Sequence, residues 1–213
     1  MTILIVANGD LQLDWARQHI DSAETIIAAD GGANHLYALG RLPDLVVGDL
    51  DSVTGETRAW LRGGEVAEWR AEAEKDETDL ELALMAATRL EGEINIIGAL
   101  GGRLDQQIAN ILLLTHPDWI DRPIKLLAPH QTAWVFIDAT SVSGEIGDTV
   151  SLIPLAGDTH VDSATGLKWK LEDSILRFGP ARGVSNELTA PYATVKLRNG
   201  VVLFIHISSD WGR

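Results

Sequence analysis

The chain contains no cysteine. Disulfides, thiolate nucleophiles and Cys-ligated metals are therefore excluded. No apolar run approaches the roughly 20 residues needed to span a bilayer. The N-terminus is short and apolar, runs straight into Asn8-Gly9-Asp10, and lacks the basic leader of a signal peptide. The expectation is a cytoplasmic protein with no membrane partner. No stretch is rich in Lys or Arg: 17 of them stand against 31 Asp and Glu, a formal net charge of −14. A field of that sign repels nucleic acid. Neither G-x-x-x-x-G-K-[ST] nor the dinucleotide G-x-G-x-x-G fingerprint occurs. The 6 histidines show no metal-ligand spacing, no Ser-His-Asp arrangement stands out, and there are no internal repeats.

What is present reads as a folded chain. Its 213 residues are 46% hydrophobic and 23% charged, a globular balance that suits one domain or two small ones. Up to about residue 128, β-like runs alternate with helical patterns. The runs are Ile3–Val6, Thr25–Ala29, Leu45–Val47, Ile94–Ile97 and Ile124–Ala128. The helical patterns are Asp14–Ile20, Ala33–Leu39, Glu56–Leu61, Asp79–Leu90 and Asp105–Leu114. Such alternation predicts an α/β, Rossmann-like domain over residues 1–128, with a parallel sheet covered by helices. Strands buried on both faces read as continuous apolar runs, as these do. After Pro129 the long helical patterns stop. Thr132–Ile137, Thr149–Leu155, Ser174–Phe178 and Thr194–Ile207 are β-like, and Arg198-Asn199-Gly200 reads as a hairpin turn. Residues 129–213 are expected to form an all-β sandwich domain.

The chemistry is carried by aspartates in glycine-bounded loops: Asp30-Gly31-Gly32, Gly48-Asp49-Leu50-Asp51-Ser52, Lys75-Asp76-Glu77-Thr78-Asp79 and Gly101-Gly102-Arg103-Leu104-Asp105. Three follow predicted strands, and in parallel sheets the loops at the carboxyl ends of strands form the ligand site. Carboxylates in that number suit Mg²⁺, a hard cation that takes oxygen ligands together with phosphate oxygens and water. Bound Mg²⁺ also reconciles the acidic field with a phosphorylated ligand, because the metal inverts the local charge. Asp49 and Asp51, two apart on an extended segment, can point the same way. Asp76 or Thr78 can equally be a helix cap, and Asp79 lies further into that helix. Lys75 is a candidate phosphate contact. In the Gly98–Arg103 loop, bare glycines let backbone N–H groups approach phosphate ahead of a helix N-terminus, and Arg103 adds a fork of donors. The β region offers Gly166-Leu167-Lys168-Trp169-Lys170 and Ser185-Asn186. An exposed Trp169 would give a flat face for an aromatic or cationic ring, a buried one would be core, and Ser185 and Asn186 can hydrogen-bond a heterocycle. The other tryptophans carry no motif and read as packing.

In their order and spacing, Ala29-Asp30-Gly31-Gly32-Ala33-Asn34, Gly48-Asp49-Leu50-Asp51-Ser52, Asp76-Glu77-Thr78-Asp79, Gly101-Gly102-Arg103-Leu104-Asp105, Gly166-Leu167-Lys168-Trp169 and Ser185-Asn186 resemble the motifs of the thiamine pyrophosphokinase family. The resemblance spans residues 3–207. It implies an α/β catalytic domain and a β-sandwich thiamine-binding domain, a homodimer, Mg²⁺, and transfer of the diphosphate of ATP to the hydroxyl of thiamine, giving thiamine diphosphate and AMP. It implies Asp49, Asp51, Asp76 and Asp79 at the metal, and Asp30, Lys75, Gly101, Gly102 and Arg103 toward ATP. Asp79 or Asp105 would accept the hydroxyl proton, and Trp169, Ser185 and Asn186 would hold thiamine. Gln106 departs from the histidine expected after that aspartate in many bacterial members, which argues against a general base there. Two other readings fit the residues: an ATP-dependent phosphotransferase for another heterocyclic alcohol, and a non-catalytic nucleotide- or thiamine-binding module.

Overall fold

A computed structural model describes residues 1–70 and 76–211. It divides into two compact units, Met1–Leu113 with Arg122–Pro129, and Leu114–Asp121 with His130–Arg213.

The first unit is a parallel sheet. Its strands are β1 (Thr2–Val6), β2 (Thr25–Ala29), β3 (Leu45–Gly48), β4 (Ala67–Arg70), β5 (Glu93–Ile97) and β6 (Ile124–Ala128), in the order β6-β5-β1-β2-β3-β4. Every pairing among them is parallel. The chain steps outward from β1 through β2 and β3 to β4, then returns to β1's other flank with β5. That reversal makes the carboxyl ends of β1 and β5 the switch point, where such sheets open a crevice. Helices α1 (Leu13–Ser22), α2 (Gly32–Leu39), α3 (Gly55–Gly63), α4 (Asp79–Ala87) and α5 (Leu104–Leu113) complete the unit. Leu4, Val6, Ile26, Ala28, Val46 and Ile97 on the sheet form one core with Ala16, Ile20, Leu36 and Leu61 on the helices. The largely apolar α4 buries Leu80, Leu82, Ala83, Leu84, Ala86 and Ala87, as a helix without a continuous polar face must.

The expected α/β architecture holds, with two differences. Strand β4 gave no apolar run because it is a sheet edge, with Ala67, Glu68 and Arg70 exposed. Helix α4 ends at Ala87 rather than Leu90, since Arg89 and Leu90 donate to Ala86 and Ala87, three residues back, in the tighter turn that closes many helices. Helix α5 buries none of its residues.

The second unit is a sandwich of two antiparallel sheets. Strands β7 (Gln131–Phe136), β8 (Ala139–Ser143), β9 (Thr149–Pro154), β10 (Thr159–Thr165), β11 (Ser174–Leu176), β12 (Asn186–Glu187), β13 (Tyr192–Asn199) and β14 (Val202–Ile207) are arranged as β12-β9-β14-β7 and β11-β10-β13-β8. Phe136, Val150, Leu152, Val202 and Phe204 from one sheet meet Val142, Val161, Leu176, Val195 and Leu197 from the other. The hairpin expected at Arg198-Asn199-Gly200 is absent. Strand β13 pairs with β8 and β10, whereas β14 pairs with β7 and β9. The Asn-Gly corner carries the chain from one sheet across the core to the other. A turn signal fixes the reversal of direction but not which edges the flanking strands will find. Trp134 stacks on Phe204 at 4.4 Å and Trp119 is buried, whereas Trp211, also read as packing, is exposed.

Candidate active site

The site residues of the first unit gather at the carboxyl ends of its strands, as the topology requires. Strand β2 delivers Asp30, and β3 ends at Gly48 and delivers Asp49 and Asp51. Asp30, Asp49 and Asp51 each present one carboxylate oxygen within 4.8 Å of the others. The carboxylate of Asp79, in the first turn of α4, approaches the same place. A Cβ on Gly48 would lie 2.8 Å from Asp79 Oδ1 and 3.1 Å from Asp30 Cβ. Gly48 also has φ 132°, so only glycine lets the two acids converge here.

Asp30 is the buried member, 4% exposed, and its Oδ1 has no hydrogen-bond partner. Burial raises its pKa above the usual carboxylate range, and the negative charges of Asp79 and Asp51 add to the rise. A buried, orphaned carboxylate oxygen facing other carboxylates lacks a positive partner. An all-oxygen, acidic donor set of this kind fits a hard divalent cation.

Beside the cluster is a cavity of about 570 Å³ lined by Asn8, Gly9, Asp10, Asp30, Ser52, Glu77, Thr78, Asp79, Gly98, Gly101, Gly102, Arg103, Gln106 and Asn110, among others. Gly101 and Gly102 take positive φ, 94° and 74°, which turns the chain tightly into α5. Arg103 is mostly exposed and makes a bidentate pair with Asp105, Nε to Oδ1 at 3.1 Å and Nη2 to Oδ2 at 2.6 Å. The Arg103 hydrogen bonds hold Asp105 below the usual carboxylate pKa, helped by the Gln106 N–H. Asp105 thus engages Arg103. Thr78 caps α4, its hydroxyl accepting from Glu81 N–H at 3.2 Å. Asp76 is exposed and does not line the cavity. Lys75 lies outside the described residues.

Several lining residues escape a reading of the sequence alone. Asn8, Gly9 and Asp10 follow β1, the strand at the switch point, so strand order would have found them. Asn110 lies one turn beyond Gln106 on α5 and donates to Ala99 O at 2.8 Å, which holds the glycine loop. The helical spacing of Gln106 and Asn110 was the available signal.

In the second unit Trp169 is 53% exposed. Asn186, by contrast, is buried, and its amide is spent on backbone: Oδ1 accepts from Trp169 N–H at 3.0 Å and Glu187 N–H at 2.9 Å, and Nδ2 donates to Trp169 O at 2.8 Å. Lys168 Nζ lies 5.0 Å from the Trp169 ring centroid and pairs with Glu187 at 2.8 Å. Ser185 is exposed at φ 60° and donates its N–H to Ser151 Oγ at 3.0 Å.

Comparison with known proteins agrees with this layout. Residues 16–126 match the family model for the thiamin pyrophosphokinase catalytic domain, and residues 139–202 the model for the thiamin pyrophosphokinase vitamin B1 binding domain. The chain is 31% identical over 208 residues to a thiamine pyrophosphokinase of Bacillus subtilis, covering 96% of this chain and 97% of that one. It is 26% identical over 197 residues to thiamine pyrophosphokinase 1 of Oryza sativa subsp. japonica, covering 78% and 72%. The crystal structure of the Bacillus subtilis thiamine pyrophosphokinase superposes with a TM-score of 0.85 at 28% identity, covering 98% and 99%. That of thiamin pyrophosphokinase from Candida albicans gives 0.85 at 18% identity, covering 97% and 89%, a likeness of fold. With both domain models matched in order and a relative of this identity aligned nearly end to end, the chain belongs to the thiamine pyrophosphokinase family.

Proposed function

We propose that this chain transfers the diphosphate of ATP to the hydroxyl of thiamine, giving thiamine diphosphate and AMP. The observation that carries this reading is the convergence of Asp30, Asp49, Asp51 and Asp79 from separate elements around an orphaned carboxylate oxygen, beside a cavity floored by a glycine loop. The cluster would hold Mg²⁺, with Asp76 nearby. Bound there, Mg²⁺ supplies neutralisation of the phosphate charge that diphosphoryl transfer demands.

The chain's own groups do the rest. Backbone N–H groups around Gly101 and Gly102, ahead of α5, receive phosphate oxygens. Arg103 holds the same oxygens through the N–H groups that its pair with Asp105 leaves over. Lys75 would add a second cation. The thiamine hydroxyl oxygen bonds to the β-phosphorus, the bond to the oxygen bridging the α- and β-phosphorus breaks, and its electron pair leaves with AMP. The hydroxyl proton goes to Asp79, which lines the cavity, whereas Asp105 does not and is tied to Arg103. Trp169 offers its exposed face to a thiamine ring, Ser185 hydrogen-bonds the heterocycle, and Asn186 fixes Trp169 rather than reaching the ligand.

The active form in this reading is a homodimer. Helix α5 supports it, with Leu104, Ile108 and Leu112 repeating every four residues along one face, each exposed, by 70%, 49% and 47%. Such an apolar stripe suits association. Among the described residues no helix is long and apolar enough to cross a membrane, and a cytoplasmic location goes with the use of ATP.

The test is a product assay with purified protein, ATP, Mg²⁺ and thiamine. AMP and thiamine diphosphate should appear in equal amounts and vanish with EDTA. ADP with thiamine monophosphate would overturn the reaction type, and no turnover of thiamine would point to another heterocyclic alcohol or to a binding module.

A further inference from the structure

The loop that carries Asp49 and Asp51 is held from two sides by side chains that do not line the cavity. From α2, Asn34 donates through Nδ2 to Ser52 O at 2.9 Å, and its Oδ1 accepts Thr54 N–H at 3.0 Å. From α3, Arg58 donates through Nε to Val53 O at 3.2 Å and through Nη2 to Leu50 O. These four bonds converge on residues 50–54. At the start of this segment Leu50 has φ 67°, a left-handed conformation that is uncommon for non-glycine residues. The turn places Asp49 and Asp51 on either side of Leu50, with Asp51 N–H donating to Asp49 Oδ1 at 3.0 Å and Ser52 Oγ to Asp51 Oδ1 at 2.9 Å.

Ser52 and Thr54, which Asn34 holds, are exposed, so water could take those bonds, whereas Leu50 and Val53, which Arg58 holds, are buried. Asn34 is therefore not needed to fill hydrogen-bonding capacity, whereas Arg58 both satisfies two buried carbonyls and fixes the turn. What both add is a fixed shape. Without it, mutual repulsion of like charges would open the loop away from Asp30, and a ligand set is only as good as the shell that orients it.

We propose that Asn34 and Arg58 are positioning residues for the cation-binding carboxylates, holding the Leu50 turn so that Asp49 and Asp51 stand opposite Asp30. The proposal rests on the metal reading given above. It also accounts for the Asn34 that follows Asp30-Gly31-Gly32-Ala33. That amide ties the element after β2 to the loop after β3, so that the two strand ends cannot drift apart.

The probe is Mn²⁺ alone, titrated into the full chain and followed by loss of the free-ion EPR signal, with thermal unfolding in parallel. Asn34→Ala and Arg58→Lys should unfold near the wild-type temperature yet bind Mn²⁺ about 10- to 100-fold more weakly. Their kcat should recover as Mg²⁺ is raised, with the KM for thiamine unchanged. Should Asn34→Ala not fold, Arg58→Lys, which keeps the charge and loses the fork, carries the test. Wild-type Mn²⁺ affinity in the folded variants, with binding lost in Asp51→Asn, would overturn the positioning roles and leave the metal reading standing. Absence of Mn²⁺ binding by the wild type would overturn the metal reading and this proposal with it.

Discussion

The side-chain amide of Asn186 grips the main chain of Trp169 from both sides, accepting from its N–H at 3.0 Å and donating to its carbonyl at 2.8 Å. A buried residue thus fixes the base of an exposed indole. Both Trp169→Ala and Asn186→Ala should raise the KM for thiamine, the first by about 10-fold, the scale of a ring contact with a cationic heterocycle. The second should raise it less, because the indole remains but wanders. Steady-state kinetics with thiamine varied at saturating ATP separate KM from kcat, and an unchanged KM in Trp169→Ala would place thiamine elsewhere.

Asp30 gives a test in which stability and activity move in opposite directions. Its pKa is raised in the folded chain by burial and by neighbouring carboxylates. A raised carboxylate pKa favours the fold below the ordinary value, near 3.9, and that advantage is lost as pH rises through the folded value. At neutral pH, where the unfolded chain ionises this group freely, Asp30 therefore costs stability in the metal-free protein. Asp30→Asn should raise Tm without metal by about 2–4 °C, the effect of ~1 kcal/mol in a chain of this size, while kcat falls at least ~100-fold. Asp51→Asn, at an exposed position, should lose turnover with little change in Tm. Thermal scans with EDTA, paired with product assays, read both.

Asp148 behaves in the reverse sense. It is 2% exposed, yet against the cost of burial the Glu145 N–H, the His206 ring at 2.7 Å and the Ser209 N–H hold its pKa below the usual range. A depressed pKa stabilises the fold above the unfolded value and loses that contribution as pH falls through the folded one. Asp148→Asn should cost about 2 kcal/mol at pH 7, roughly 4–8 °C in Tm. The gap from wild type should narrow below about pH 4. A gap constant from pH 7 to pH 3 would show that the carboxylate's charge is not what ties β14 to the β8–β9 turn.

The dimer reading is tested on α5. Ile108→Glu places a charge in the middle of the exposed Leu104, Ile108, Leu112 stripe. Since α5 buries none of its residues, the change should leave secondary structure intact, within about 0.5 kcal/mol for the monomer fold. Sedimentation should change from a dimer to a monomer. A variant that sediments like the wild type would exclude this face as the interface.

Much of the candidate site is legible without the fold, for a physical reason. Asp30, Asp49 and Asp51 each follow an apolar run, and in a parallel sheet the ends of such runs meet. Where the sequence is silent, the information lies in other strands. Nothing in Asn8-Gly9-Asp10 says that β1 lies between β2 and β5, yet that placement brings those residues to the cavity. Asn186 reads as a ligand contact because a sequence displays an amide without its partners. Only the register that sets Leu167 opposite Leu188 brings it under Trp169. The Arg103–Asp105 pair is within reach of local reading, being two residues apart, but each residue type suggests a separate duty.

The Asn199-Gly200 corner bears on how the chain folds. Strand β13 is flanked by β8 and β10, and β14 by β7 and β9, so the strands made last are the middle strands of both sheets. Neither sheet can close until those strands have left the ribosome. Until β13 is released, β8 and β10 wait with unpaired edges, as β7 and β9 do until β14 is released, and the pairings that complete them span long stretches of chain. Refolding of this unit should therefore be paced by slow, non-local pairing, and nascent or truncated chains should be the state most exposed to aggregation.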